Sequence, residues 1–212
     1  EDIIVDDNFG QEFKAILMKR SVEMYQWTER KITEERNGKK STQYKYDKAW
    51  ASSLEKSSNF YEPAGHQNPD SMRYLDKNFL AKTVTVGAFS LNPYQIRDIP
   101  GYVDHPIGDE DAARSKIQAQ AMNGMLYVGS NPAAPAIGDF RVRYSVVKPG
   151  PVSLIAKQAG STFTGYQTGA GKEISLIDAG TLAASAMFQT AQTENTALTW
   201  GLRFVGWVMI FG

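Results

Sequence analysis

The chain has 212 residues, 42% hydrophobic and 22% charged, long enough for one sizeable domain with its own core. Its 23 Lys and Arg balance 23 Asp and Glu, so it lacks the basic excess that nucleic-acid surfaces usually carry. The absence of cysteine excludes disulfides, thiolate metal sites and cysteine nucleophiles, and no acceptor sequon for N-glycosylation occurs.

Residues 12–52 read as a long β-hairpin turning at Asn37-Gly38, a dipeptide suited to the positive φ values of a type I′ turn. With Arg36 facing Lys39, paired residues sum to 75, so Tyr25 faces Trp50, Trp27 faces Lys48 and Glu29 faces Tyr46. Tyr25, Trp27, Tyr46 and Trp50 then share one face, expected to be the core face; an exposed interaction stripe is the alternative. The tip, with Glu34, Glu35, Arg36, Lys39 and Lys40, is charged and is expected to project into water.

Residues 53–78 lack clear periodicity, and Asn59–Asp70 reads as an ordered loop. Lys82–Phe89 reads as a strand. Asn92-Pro93 is an N-cap and first helical position, opening a short helix to about Ile99. Residues 100–115 form a polar connection, and Ala112–Met122 fits a short helix or a strand equally. Met125–Gly129 is a strand, followed by a proline-held loop to Gly138. Phe140–Val147 and Val152–Gln158 flank Lys148-Pro-Gly-Pro151; Phe140, Val142 and Tyr144 alternate with Arg141 and Arg143 to give one buried and one wet face. Phe163–Gln167 and Ile174–Ile177 make a hairpin, and Thr181 caps a helix to about Glu194.

The final run, Leu198–Gly212, is apolar with Arg203 as its only charge. It is shorter than the roughly 20 residues of a spanning helix, yet Trp200 and Trp207 suit a membrane interface. The sequence therefore predicts an extramembrane domain over 1–197 and the start of a truncated transmembrane helix over 198–212, with a buried C-terminal element as the alternative. Beginning at Glu1 without a methionine or signal peptide, the chain reads as a fragment of a longer one. The expected fold class is α+β: strand-dominated, with antiparallel sheets, a long N-terminal β-hairpin and a C-terminal helix leading into a membrane span.

The chemistry is sparse. His66 and His105 fall in separate loops without ligand spacing, so no metal or cofactor is expected. No Gly-x-Ser-x-Gly occurs, and no catalytic residue is identified. Gly165–Lys172 resembles a phosphate loop, but Glu173 stands where Ser or Thr would hold magnesium, so a hairpin turn is expected. The acidic cluster of Asp104, Asp109, Glu110 and Asp111 lacks EF-hand spacing and reads as a solvated loop. The candidates for ligand or partner binding are His66, Asn68, Asp70, Asp139 and Arg141, on the hypothesis that the His66 and Asp139 loops converge on one surface. The competing reading makes Asn68 and His66 caps of backbone groups, Asp139 a strand-end cap and Arg141 a wet-face charge.

Several stretches resemble the LUMA (transmembrane protein 43) family. They are Val22–Glu29, Tyr44–Trp50, Ser58–Phe60 with Gly65–Pro69, Asn131-Pro132 with Gly138–Val142, Ile155–Gln158, and Thr199–Arg203 with Gly206-Trp207. They run in order over nearly the whole chain. The resemblance implies an N-terminal span, a large luminal or periplasmic domain and a following cluster of membrane helices, of which this chain is the large domain. For the animal member it implies an endoplasmic reticulum and inner nuclear membrane location, self-association, and organisation of complexes that include emerin and lamins. Arg97–Met122 and the short Lys148–Pro151 loop depart from the animal pattern, and with the missing cysteines they point to a bacterial member to which nuclear partners would not transfer. The expected function is membrane scaffolding of protein complexes, non-catalytic, with membrane proteins and further copies of itself as partners. The alternative is a cell-envelope enzyme or a small-ligand or lipid-binding domain using the His66 and Asp139 loops.

Overall fold

A computed structural model of the chain describes residues 3–169, 171–193 and 195–196. Contacts gather these into two compact units: Ile3–Phe79 with Tyr102–Val146, and Leu80–Gly101 with the chain from Val147 onward.

In the first unit, Ile3–Asp6 and Gln11–Lys14 pair as a short antiparallel hairpin. The long hairpin follows, with Leu17–Arg36 outgoing and Lys39–Ala51 returning. Its register is the one the sequence predicts, from Met24 opposite Ala51 to Arg36 opposite Lys39. Asn37 and Gly38 take φ of 53° and 71°, the left-handed conformation that a type I′ turn requires. The long hairpin is part of a seven-stranded sheet. Across it, the return strand lies at one end, followed by Leu17–Arg36, Phe140–Val147, Met125–Val128 and Gln120–Met122. Lys77–Leu80 also pairs with Leu17–Arg36, and Val103–His105 pairs with Phe140–Val147.

The buried face is not the aromatic one. On the outgoing strand Met18, Arg20, Val22, Met24 and Gln26 are buried, together with Phe140, Val142, Tyr144 and Val146 of the neighbouring strand. Phe13 packs on Tyr144 at 4.9 Å, while Tyr74 lies between Phe9 at 4.8 Å and Phe140 at 5.2 Å. Tyr25, Trp27, Tyr46 and Trp50 do share a face, but each is only half-buried, so the expectation that they form the core is corrected. Two polar side chains at core positions, Arg20 and Gln26, hide the true core face from a reading by hydrophobicity. His105, expected in a loop, ends the Val103–His105 strand and meets Phe13 edge-on at 5.0 Å.

In the second unit, the strand expected over Lys82–Phe89 is instead a tight hairpin of Thr85-Val86 and Phe89-Ser90. Gly87 starts its two-residue turn at φ 59°, where a glycine is favoured. Pro93–Arg97 is helical, and the Asn92 side chain accepts from the backbone of Tyr94 and Gln95, as expected of an N-cap. Val152–Ile155 pairs with Leu176–Ala179. Lys157–Ala159 pairs with Thr162–Thr164, which meets Ser90 in parallel through Thr162. Tyr166-Gln167 and Glu173-Ile174 form the expected hairpin around the glycine-rich turn, closed by the Thr168 N–H donating to the Lys172 carbonyl at 2.8 Å. The C-terminal helix begins at residue 184 rather than at Thr181, and ahead of it the Leu182 N–H donates to Ser153 Oγ at 2.8 Å. The fold is thus strand-dominated with antiparallel sheets and a C-terminal helix, as expected. The predicted transmembrane start at 198–212 lies outside the described residues; among those described, no helix is long and apolar enough to cross a membrane.

Candidate functional site

The half-buried aromatic face of the hairpin carries the loop that the sequence singles out. Asn68 fastens that loop to the sheet. Its Oδ1 accepts from the Trp27 N–H at 2.7 Å, and its Nδ2 donates to the Trp27 carbonyl at 2.9 Å and to the Glu55 carbonyl at 2.9 Å. One side-chain amide so replaces the pair of bonds a neighbouring strand would make. Asn68 N–H donates to Ser57 Oγ at 2.7 Å, and that hydroxyl donates to the His66 carbonyl at 2.9 Å. His66 lies flat on Tyr46, with ring centres 3.9 Å apart, and meets Trp27 edge-on at 4.8 Å. Its Nδ1 is 2.9 Å from the Glu62 carbonyl. Glu29 Oε2 accepts from the Tyr46 hydroxyl at 2.7 Å and from the Tyr61 N–H at 2.6 Å, and the Tyr46 oxygen accepts from the Glu62 N–H at 2.9 Å. Desolvation first, and the Glu29 carboxylate second, hold the Tyr46 phenol above its ordinary pKa.

The second predicted loop attaches two residues away along the same strand. Tyr25 N–H donates to the Asp139 carbonyl at 2.8 Å, and Gly138 N–H donates to the Tyr25 carbonyl at 2.9 Å. The two loops adjoin: a Cβ on Gly138 would lie 3.5 Å from Pro69 Cγ. Asp139 Oδ2 accepts from the Tyr127 hydroxyl at 2.5 Å and from the Ala136 N–H at 2.8 Å. Arg141 Nε donates to Glu23 Oε2 at 2.5 Å while its guanidinium sits 4.9 Å from the centre of the Trp50 ring. Asp70 is exposed beyond the clamp. The structure therefore brings the His66 and Asp139 loops together, with His66, Asn68, Asp139 and Arg141 each engaged in holding protein to protein.

Gly129 reports on this packing. A Cβ there would sit 2.5 Å from Asp139 Cγ, so Gly129→Ala must displace the carboxylate from Tyr127. The Tyr127 hydroxyl still has the Asn131 carbonyl at 3.0 Å, so the expected loss is about 1–3 kcal/mol from the charge-assisted bonds of Asp139 to Tyr127 and Ala136 plus local strain, read by urea unfolding.

A second constellation lies on the core side, and sequence reasoning missed it. Asp6, fully buried, receives two bonds from Arg20 Nη1 at 2.7 and 2.9 Å and one from the Tyr144 hydroxyl at 2.9 Å. Arg20 Nε and Nη2 both donate to the Leu75 carbonyl, at 3.0 and 2.8 Å. Nearby, Gln26 donates to the Ser53 carbonyl at 2.8 Å and accepts from the Glu55 N–H at 2.9 Å. Asp76 Oδ1 accepts from the Val22 N–H at 2.7 Å. The available signal was polar residues at core positions of an alternating run, Met18-x-Arg20-x-Val22-x-Met24-x-Gln26.

Burial and the Asp6 carboxylate raise the Tyr144 phenol, outweighing Arg20, which acts in the opposite direction. Burial and Asp139 likewise raise Tyr127. Both folded-state values exceed the ordinary 10.0, so their stabilisation is fully present below that pH and is lost as pH rises through the folded values. Unfolding free energy is expected to fall from about pH 10 upward, and Tyr127→Phe with Tyr144→Phe should flatten that fall in a pH series of urea unfolding curves.

A hollow of about 300 Å³ lies on the wet face, lined by Ser21, Glu23, Ser52, Asp76, Arg141 and Arg143 among others. Its charges balance, and Glu23 with Arg141 and Asp76 with the Val22 N–H are already paired. The acidic residues at 109–111 open a short helix, where Asp111 Oδ2 accepts from the Gly108 N–H at 2.9 Å. Among the described residues no three His, Asp or Glu side chains gather to hold a metal ion.

The family described as transmembrane protein 43 matches residues 24–212, beginning within the outgoing strand of the hairpin. This chain belongs to the transmembrane protein 43 family. The human and rat proteins named transmembrane protein 43 are each 31% identical to it over 99% of this chain. The fruit-fly protein named as a transmembrane protein 43 homolog is 26% identical over 98%. The chain spans about half the length of these relatives, 55% of the human and rat proteins and 57% of the fly protein. No solved structure matches it significantly. The family is named for membrane proteins, which agrees with the membrane assignment read from the sequence.

Proposed function

We infer that this chain is the extramembrane part of a multi-pass membrane protein, facing the lumen or periplasm, and that it serves as a non-catalytic scaffold for complexes of membrane proteins, further copies of itself included. The observation that carries this reading is how the polar candidates are used. Asn68 satisfies Trp27 and Glu55, Asp139 holds Tyr127, and Arg141 pairs with Glu23, so these three brace the fold instead of converging on a reacting atom. The exposed surface is aromatic and charged: Tyr61 is 74% exposed while stacked on Tyr44 at 4.4 Å, and Tyr94 is 76% exposed. Aromatic residues that are rigid yet accessible are favoured at protein interfaces.

The test is crosslinking and mass spectrometry on the full-length parent in its native membrane. Reproducible recovery of defined membrane proteins, or of the parent crosslinked to itself, is the expected result. Background alone from an intact sample would overturn the scaffold reading in favour of the enzyme or small-ligand alternative.

A further inference from the structure

Past Glu29 the long hairpin becomes a two-stranded arm. Of residues 30–35 and 37–45, all are exposed except Ile32 and Tyr44, which are half-buried. The arm is also basic: Arg30, Lys31, Arg36, Lys39, Lys40 and Lys45 stand against Glu34 and Glu35, six charges less two giving +4 in a chain whose net charge is 0. Arg30 is partly neutralised by Asp47 at 3.7 Å, and both side chains are about two-thirds exposed.

The edge of the arm is open. The return strand Lys39–Ala51 is the terminal strand of its sheet, and among the described strands only Leu17–Arg36 pairs with it. Its outer row of N–H and C=O groups is a template for a further strand, a hazard that folded proteins commonly blunt with lysines. Lys39, Lys40, Lys45 and Lys48 fill that role against neutral strands. They also disfavour a second copy: antiparallel self-pairing centred on Thr42 sets Lys39 against Lys45, and centring it one half-step further sets Lys40 against Lys45. The same lysines favour an acidic strand.

Resting on the interaction-domain reading above, we propose that the outer edge of Lys39–Lys48 takes up an extended acidic segment of a partner protein as an added strand. The distribution of charge selects a strand over a membrane surface. In the observed register Lys31 and Lys40 lie on one face of the arm, and Arg30, Lys39 and Lys45 on the other. A flat anionic bilayer meets one face; an added strand sends alternate side chains to both, so acidic residues along it meet cations on each side. None of the exposed large apolar side chains falls within residues 30–45 to anchor the arm in lipid.

The experiment uses the full-length parent in neutral-lipid nanodiscs and a labelled 12-residue peptide of alternating Glu and Thr, with a Gln-for-Glu counterpart. Fluorescence anisotropy should show the Gln peptide binding at least about tenfold more weakly, and the paired reversal Lys40→Glu with Lys45→Glu weakening the Glu peptide by about tenfold or more. Deuterium uptake over residues 39–48 should slow when the Glu peptide is bound, and raised salt should weaken binding. Equal binding of the two peptides, unchanged exchange along the return strand, or indifference to the reversal overturns the proposal. So does a surface that binds phosphatidylserine vesicles but no peptide. Partner recovery from membranes is measured separately, so the scaffold reading can stand while this edge proves idle.

Discussion

Replacing Arg20 by Met is expected to remove about 3–5 kcal/mol of unfolding free energy, because the fully buried Asp6 keeps its charge and loses its cation. The measurement is urea unfolding followed by tryptophan fluorescence. Part of the loss belongs to the Leu75 carbonyl, which accepts from both Nε and Nη2 of Arg20. The contrast with a paired replacement makes the attribution testable. Asp6→Leu combined with Arg20→Met removes both charges and should be clearly less destabilising than Arg20→Met alone, since buried ion pairs often lose little when both partners become apolar. If the double variant is as damaged as the single one, the hydrogen bonds to Leu75 and Tyr144 dominate, and the charge argument fails.

Asn68→Ala should cost about 2–4 kcal/mol, from three lost hydrogen bonds that leave the Trp27 and Glu55 backbone groups half-buried without partners. The effect should also be local. The segment from Ser57 to Pro69 hangs on Asn68, on Ser57 and on the ring stack of His66 over Tyr46, so its release exposes Trp27 and Tyr46. Limited proteolysis should cut within 57–69 in the variant and not in the parent chain, and tryptophan emission should shift to the red. Asp70→Ala, at an exposed position beyond the clamp, should change neither.

The hairpin shows how much a turn dipeptide and a pairing rule can carry. Asn37-Gly38 fixes the turn, and the aromatic coincidences fix the register over the pairs from Met24 to Arg36. The same signal at Asn123-Gly124, with φ of 49° and 75°, joins Gln120–Met122 to Met125–Val128 and decides the end of the ambiguous Ala112–Met122 segment for a strand. Which face is buried was not legible in the same way. Four large aromatics offer more ring area than Val22 and Met24, yet the opposite face is buried, and there Arg20 and Gln26 find partners at Asp6, Leu75, Ser53 and Glu55. Those partners lie 14 to 55 positions away in sequence, and no local pattern announces them. The nearness of the His66 and Asp139 loops was expected, and it has a simple cause: Asn68 and Gly138-Asp139 bond to Trp27 and Tyr25, two positions apart on one strand. Asn68 serves the backbone, as the capping reading has it, whereas the Tyr127 hydroxyl that Asp139 accepts from lies 12 positions away and no local pattern announces it.

The aromatic face and its clamp have a consequence for function. Tyr25 against Trp50 at 5.2 Å, and Trp50 against Tyr127 at 6.3 Å, form a second group of ring contacts on the Asp139 side of this face. Rings held this way lose little freedom on binding, which suits a docking surface. A catalytic role for the same region would depend on the acid–base groups of His66 and Asp70 instead.

The most direct test separates these two roles in one chain. The full-length parent carrying His66→Phe and Asp70→Asn keeps an aromatic ring over Tyr46 and removes both proton-carrying groups. Crosslinking and mass spectrometry in the native membrane, beside a phenotype or biochemical readout of the parent, compares it with the wild type. The account predicts the same partner set and the same readout. Loss of the readout with folding and partners unchanged would contradict it and place chemistry in the His66 loop.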